Sequence, residues 1–166
     1  MNSLNILRNF PLYGKKETLF NLLSMYELYK DTIERPGDIV IIGNNIASSL
    51  ITFANFSESQ TIGDRTRLVY GFDSYKQNEE FNSENEYYNI LDTSINIYNK
   101  DRFVGWKDRI IYNNANITKF KSFIDDNIGL KISLLYCIDL EDDKKKIEEM
   151  VSPYLIKKAK IVFNKR

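Results

Sequence analysis

Five short, nearly continuous apolar runs recur along this 166-residue chain, with segments of helical spacing between them. The runs are 38–43 (DIVIIG), 67–72 (RLVYGF), 109–112 (RIIY), 131–138 (KISLLYCI) and 159–163 (AKIVF). A strand with one wet face alternates apolar and polar residues, whereas a strand covered on both faces reads as an unbroken apolar run. Runs of this kind, interleaved with helices, predict βαβ units and a parallel sheet with helices on both faces. The expected fold class is therefore α/β, a Rossmann-like, mostly parallel sheet of about five strands.

The helical segments follow from apolar residues three and four apart. Residues 15–33 place Leu19, Leu22, Leu23, Tyr26 and Tyr29 at that spacing and end at Glu34-Arg35-Pro36-Gly37. A second helix starts near Ala47 or Ser48 and carries Leu50, Ile51 and Phe53. Residues 76–86 are polar and aperiodic and read as a loop, with a helix over 87–98 presenting Tyr88, Leu91, Ile95 and Tyr98. Shorter helices are expected over 117–126 and 142–152. No internal repeat or Pro/Gly/Ser-rich linker divides the chain. It reads as one domain over 1–166, with a helical extension at 1–35 and an α/β core at 36–166.

Composition removes several function classes. Lys+Arg and Asp+Glu are equal at 23 each, whereas binding to duplex nucleic acid draws on a basic excess. The same neutrality weighs against single-stranded nucleic acid on exposed tyrosines. There is no histidine, so the commonest general base and metal ligand are both absent. The lone Cys137 lies within an apolar run and reads as a buried thiol of a cytoplasmic protein. No stretch reaches the ~18–20 apolar residues of a membrane span. The first ten residues lack the charged and apolar regions of a secretory signal.

In open α/β sheets, ligands bind beyond the carboxyl ends of the strands, where strand order reverses. The residues to watch are Gly43, Asn44 and Asn45 after the first strand and Asp73 and Ser74 after the second. Asn113 to Asn116 follow the third, Asp139 the fourth, and Asn164 and Lys165 the fifth.

Taken in order, PGDIVIIGNNIASSLITFA (36–54), RLVYGFDSY (67–75), GWKDRIIYNNANIT (105–118), KISLLYCIDLEDD (131–143) and KAKIVFNKR (158–166) resemble S-adenosylmethionine-dependent class I methyltransferases of the macrocin-O-methyltransferase type. The resemblance covers about 130 residues, from Pro36 to the end, and rests on the ordered set rather than on any single motif. It implies a methyltransferase-like fold, S-adenosylmethionine as cofactor, and a sugar or small-molecule hydroxyl as acceptor.

The resemblance also implies residue roles, and each has a plainer reading beside it. Gly43 and Asn44 occupy the strand-to-helix turn that faces the amino-acid end of the cofactor, although Ala47-Ser48 stand where the family tends to have a glycine pair. An ordinary turn needs no more than that. Asp73 is placed to accept both ribose hydroxyls, with Ser74 beside it; Asp and Ser also cap turns. Asn116, in the pair Ala115-Asn116, replaces a Gly-Asp pair near the adenine and keeps donor and acceptor capacity; a surface loop has the same composition. Asp139 is the carboxylate left where the family has two acidic residues, and it is the candidate catalytic base. Asp142 and Asp143 also suit a helix N-terminus.

A divalent cation wants several oxygen ligands. The single carboxylate at 139, and Asn164-Lys165 where the family usually has acids, argue against a metal. The family generally continues past its fifth strand with a helix and an antiparallel strand pair, so those elements are expected to be missing from a chain that reaches Arg166 there. Two functional readings remain. One is an O-methyltransferase using Gly43, Asn44, Asp73, Ser74, Asn116 and Asp139. The other is a non-catalytic relative serving as a binding or assembly module, with the 15–33 helix available for a homo-oligomer or protein partner. A nicotinamide enzyme is disfavoured because Gly43-x-Asn45-x-x-Ser48 lacks two of the three fingerprint glycines.

Overall fold

The computed structural model describes residues 15–60, 67–77, 81–100, 110–114 and 117–165. In chain order the elements are α1 (Lys16–Lys30), β1 (Asp38–Asn44), α2 (Ala47–Gln60), β2 (Val69–Ser74) and α3 (Glu84–Lys100). They continue with β3 (Ile110–Asn114), α4 (Ile117–Asp126), β4 (Ile132–Ile138), α5 (Lys144–Val151) and β5 (Leu155–Asn164). Single 3-10 turns at Glu141–Asp143 and Ser152–Tyr154 flank α5. The strands form one sheet in the order β3-β2-β1-β4-β5, and every pairing is parallel. This is the expected α/β Rossmann-like architecture, and it puts the reversal of strand order at β1, between β2 and β4.

Both faces of the sheet are covered, which is why its strands read as apolar runs. One layer sets α1, α2 and α3 against Ile39, Ile41, Val69, Leu134, Tyr136 and Ile138. The other sets α4 and α5 against Val40, Ile42, Tyr70, Phe72, Leu135 and Cys137. Alternation along each strand sends successive side chains into opposite layers. In the second layer Phe72 packs between Phe120 and Phe123, at centroid distances of 4.8 and 5.1 Å. Fully burying side chains such as Phe120 and Ile124 contributes about 1.5–3 kcal/mol each. Burial pushes the Cys137 thiol up to about 12, so this cysteine acts as a small apolar core residue.

At the amino edge of the sheet a buried Arg67 donates to the carbonyls of Thr32 and Arg35 and to Oγ1 of Thr32. Asp38 Oδ1 accepts the N–H of Leu68 at 2.8 Å. These bonds tie the α1–β1 connection to the entry of β2.

Three boundaries differ from expectation. The segment read as a loop to residue 86 turns helical at Glu84. Ser83 Oγ accepts the N–H of Glu86 (3.2 Å), while Glu86 Oε2 accepts the N–H of Asn82 (2.9 Å). With Ser83 as N-cap and Glu86 holding the preceding Asn82, the helix starts early. Strand β5 begins at Leu155 instead of Ala159. Between the pairs Ile132–Leu155 and Leu134–Lys160 its register slips, and Lys158 takes φ 66°, so a bulge hides the strand from any periodicity. Helix α1 ends at Lys30 and packs inward through Met25 and Tyr29, leaving Leu19 and Leu23 exposed although they share the expected apolar spacing. The reason is position: contact with α2 is made by its C-terminal half, where Tyr26 and Tyr29 meet Phe56.

Candidate functional site

The carboxyl ends of the strands fall in one row. Asn114 pairs with Asp73, Asp73 with Gly43, Gly43 with Ile138, and Ile138 with Asn164. The next residues on the four central and outer strands, Ser74, Asn44, Asp139 and Lys165, therefore make up a rim. Of the sequence-picked candidates, Gly43, Asp73 and Asn164 lie on this row and Asn44, Ser74, Asp139 and Lys165 on the rim, while Asn45 comes one residue beyond the rim and Asn113 one residue before the row. Asn116 falls outside the described residues.

Gly43 earns its place through the sheet itself. It has φ 141°, and a Cβ there would stand 2.0 Å from the carbonyl oxygen of Ile138. The close approach it permits is of β1 to β4. Two residues on, Asn45 takes φ 51°, a left-handed conformation that Asn tolerates better than most side chains. Its amide clamps the backbone of Lys76, with Nδ2 donating to the Lys76 carbonyl at 2.6 Å and Oδ1 accepting the Lys76 N–H at 2.9 Å. The turns after β1 and β2 are thereby locked together.

Asp73 is buried, with no exposed surface. Oδ1 accepts the N–H of Ile46 at 3.2 Å, and Oδ2 accepts the hydroxyl of Tyr87 at 2.5 Å. The same Tyr87 oxygen accepts the N–H of Ala47 at 3.0 Å. Burial pushes the Asp73 carboxyl above its ordinary value, and the bonds from Tyr87, Ile46, Ser74 and Asn45 pull it back in part. The carboxylate thus serves the N-terminus of α2. Tyr87 was missed in the sequence: it opens the helix expected over 87–98, but its contact with Asp73 joins two elements and leaves no motif to read.

Two cavities open at the carboxyl edge, one on each face. On the α4/α5 face a cavity of about 240 Å³ has an apolar floor of Ile42, Phe72, Ile117 and Leu140. Gly43, Asn44, Ser74, Thr118, Asp143 and Lys146 supply its polar border. On the α1/α2 face a cavity of about 640 Å³ lies between α1, the start of α2, and the ends of β4 and β5. Asp139 belongs to the rim and is in the lining of neither cavity. It has φ 56°, is half-buried, and its N–H donates to the carbonyl of Asn164 at 2.9 Å. Among the described residues no group of three or more Asp, Glu, Cys or His side chains gathers as a metal site requires. None of the described helices is long and apolar enough to cross a membrane.

The sequence matches no protein-family model and no curated protein. The fold does have solved counterparts. A structure of apo CalS11, described as a TDP-rhamnose 3'-O-methyltransferase of calicheamicin biosynthesis, superposes with a TM-score of 0.83 at 23% identity, covering 99% of this chain and 71% of that one. A second structure of CalS11, described as a calicheamicin methyltransferase, gives a TM-score of 0.83 at 22% identity over the same shares. This chain therefore has a methyltransferase-like fold.

Proposed function

We propose that this chain binds S-adenosylmethionine at the carboxyl rim and acts as an O-methyltransferase on a hydroxyl of a sugar or small molecule. The observation that carries this reading is the smaller cavity. It opens where the strand order reverses, with an apolar floor and a polar border, on a fold shared with a sugar O-methyltransferase. Its contents suit the adenosine end of the cofactor. Ile42, Phe72, Ile117 and Leu140 can sandwich a flat heterocycle, while Ser74, Thr118 and Asn44 can bond hydroxyls and ring nitrogens. At about 240 Å³ it holds part of the cofactor, and the remainder extends along the rim at Gly43.

Bound S-adenosylmethionine supplies a methyl group on a positively charged sulfur. The protein's share is placement and proton handling. In a chain without histidine, Asp139 is the rim carboxylate assigned to take the proton of the acceptor hydroxyl. Its backbone bond is to Asn164, which lines the larger cavity, and the residue after Asp139, Leu140, lines the smaller one, which supports this role. The larger cavity is then the acceptor's, and its hydroxyl- and amide-rich walls suit a small polar molecule.

One observation favours the second reading, a non-catalytic relative that keeps the fold as a binding or assembly module. Asp73, which the resemblance assigns to the ribose, is enclosed and engaged by Tyr87 and Ile46. Calorimetric titration with S-adenosylmethionine and S-adenosylhomocysteine separates the two. Micromolar binding that Ser74→Phe abolishes, by filling the smaller cavity, supports the enzyme. Absence of heat with both ligands, from a wild-type protein that melts cooperatively, removes the methyltransferase reading and leaves the module.

A further inference from the structure

The larger cavity has a charge pattern that the cofactor reading does not use. Its walls present Ser48, Ser49 and Thr52 from the first turns of α2, and Tyr136 and Asn164 from the ends of β4 and β5. Asn164 is held in place by donating from Nδ2 to the Tyr136 hydroxyl at 2.9 Å. Among the described residues no carboxylate lines the cavity, and Lys165 is the one charged side chain of that lining. Lys165 follows Asn164, the register partner of Ile138, so it stands next to Asp139 on the rim. Hydroxyls and amides bond sugar hydroxyls equally well in either direction. Asp139 stays on the rim and is not among the lining residues, so within the described lining the Lys165 ammonium favours a ligand that brings the negative charge itself.

We infer that this cavity takes a polyhydroxylated ligand carrying one anionic group, a carboxylate or a phosphate, with Lys165 as its counter-charge. As a statement about the acceptor this rests on the methyltransferase reading, but binding is measurable without the cofactor. With no carboxylate among the described lining residues to hold a divalent cation, Lys165 itself supplies the positive charge at the acceptor.

The test is titration of the full chain with D-glucuronate, glucose 1-phosphate and methyl glucoside, followed by calorimetry or amide chemical shifts. At least one of the two anionic sugars should bind tenfold or more tightly than methyl glucoside, and which one does so separates a sugar acid from a sugar phosphate. Lys165→Gln should erase that preference and Lys165→Arg should keep it. Thr52→Trp, on the opposite wall, should block all three sugars and so place the binding in this cavity. Added magnesium should change none of these affinities. Equal affinity for neutral and anionic sugars, a Lys165→Gln variant that behaves as wild type, a magnesium requirement, or no binding of any sugar overturns the inference. A parallel titration with S-adenosylhomocysteine keeps the readings apart. Sugar binding without it leaves this inference standing while the methyltransferase reading fails, and the converse result does the opposite.

Discussion

Tyr87 donates its hydroxyl to Oδ2 of Asp73 at 2.5 Å and accepts the N–H of Ala47 at 3.0 Å, so one phenol on α3 joins the end of β2 to the start of α2. The ring itself is buried against Tyr75 and Phe81, at centroid distances of 5.6 and 4.9 Å. The rim is therefore shaped from behind. An acid that faces inward fixes the turn, and its neighbour Ser74 borders the smaller cavity.

Tyr87→Phe keeps the ring packing and removes the shared hydroxyl, leaving a buried carboxylate oxygen and the Ala47 N–H short of a partner. The expected cost is about 1–3 kcal/mol, a fall in Tm of roughly 2–12 °C for a chain of this size. The pH dependence carries a sign. Burial already raises Asp73 above its ordinary value of 3.8, and the Tyr87 bond is the largest influence lowering it. Stability linked to a raised pKa is fully present below the unfolded value and is lost as pH rises through the folded one. Removing Tyr87 lifts the folded value further, so the variant should lose more stability than wild type between pH 4 and 7. Asp73→Asn, which cannot titrate, should flatten the profile. Thermal melts across that range decide the matter, and parallel profiles for all three proteins would refute the coupling.

Gly43→Ala tests whether this glycine serves the strand pair or a ligand. The added Cβ meets the Ile138 carbonyl oxygen at 2.0 Å, and φ 141° is unfavourable for any L side chain. Strain and overpacking together should cost about 2–5 kcal/mol. A variant that melts like wild type while losing only cofactor affinity would move Gly43 from sheet packing to direct ligand approach. Urea unfolding, read beside an S-adenosylhomocysteine titration, distinguishes these results.

The sheet and the rim were legible in the sequence because strands covered on both faces write themselves as apolar runs, and the residue after each run must then lie at the carboxyl edge. Gly43, Asp73 and Asp139 follow from that alone. What stayed hidden depends on contacts between elements distant in sequence. The inward turn of Asp73 comes from Tyr87, fourteen positions away on helix α3. The bulge at Lys158 broke the periodicity of β5, and Arg35 donates to the Lys158 carbonyl from the far end of the α1–β1 connection. The two cavities draw on residues such as Thr18, Ser49, Thr118 and Lys146, which carry no motif and meet only once the helices are packed. Leu19 and Leu23 matched the helical spacing and are exposed all the same, because spacing says which residues share a face and nothing about how far the helix extends beyond its neighbour.

Asp139→Asn isolates the proton-transfer role from the fold. At φ 56° this position is left-handed, and Asn is among the few residues that accept that conformation readily. The N–H bond to the Asn164 carbonyl is unaffected by the change. Stability should therefore stay within about 0.5 kcal/mol of wild type, and S-adenosylhomocysteine should bind as before because Asp139 does not line the smaller cavity. Loss of the base should slow methyl transfer by about 10²–10⁴-fold, with KM for the acceptor little changed. Asp139→Ala adds left-handed strain to the same chemical loss, so its lower Tm separates the two contributions. Near-normal turnover by a folded Asp139→Asn protein would exclude Asp139 as the base. It would direct the search to other carboxylates near the rim, beginning with Asp143 in the lining of the smaller cavity.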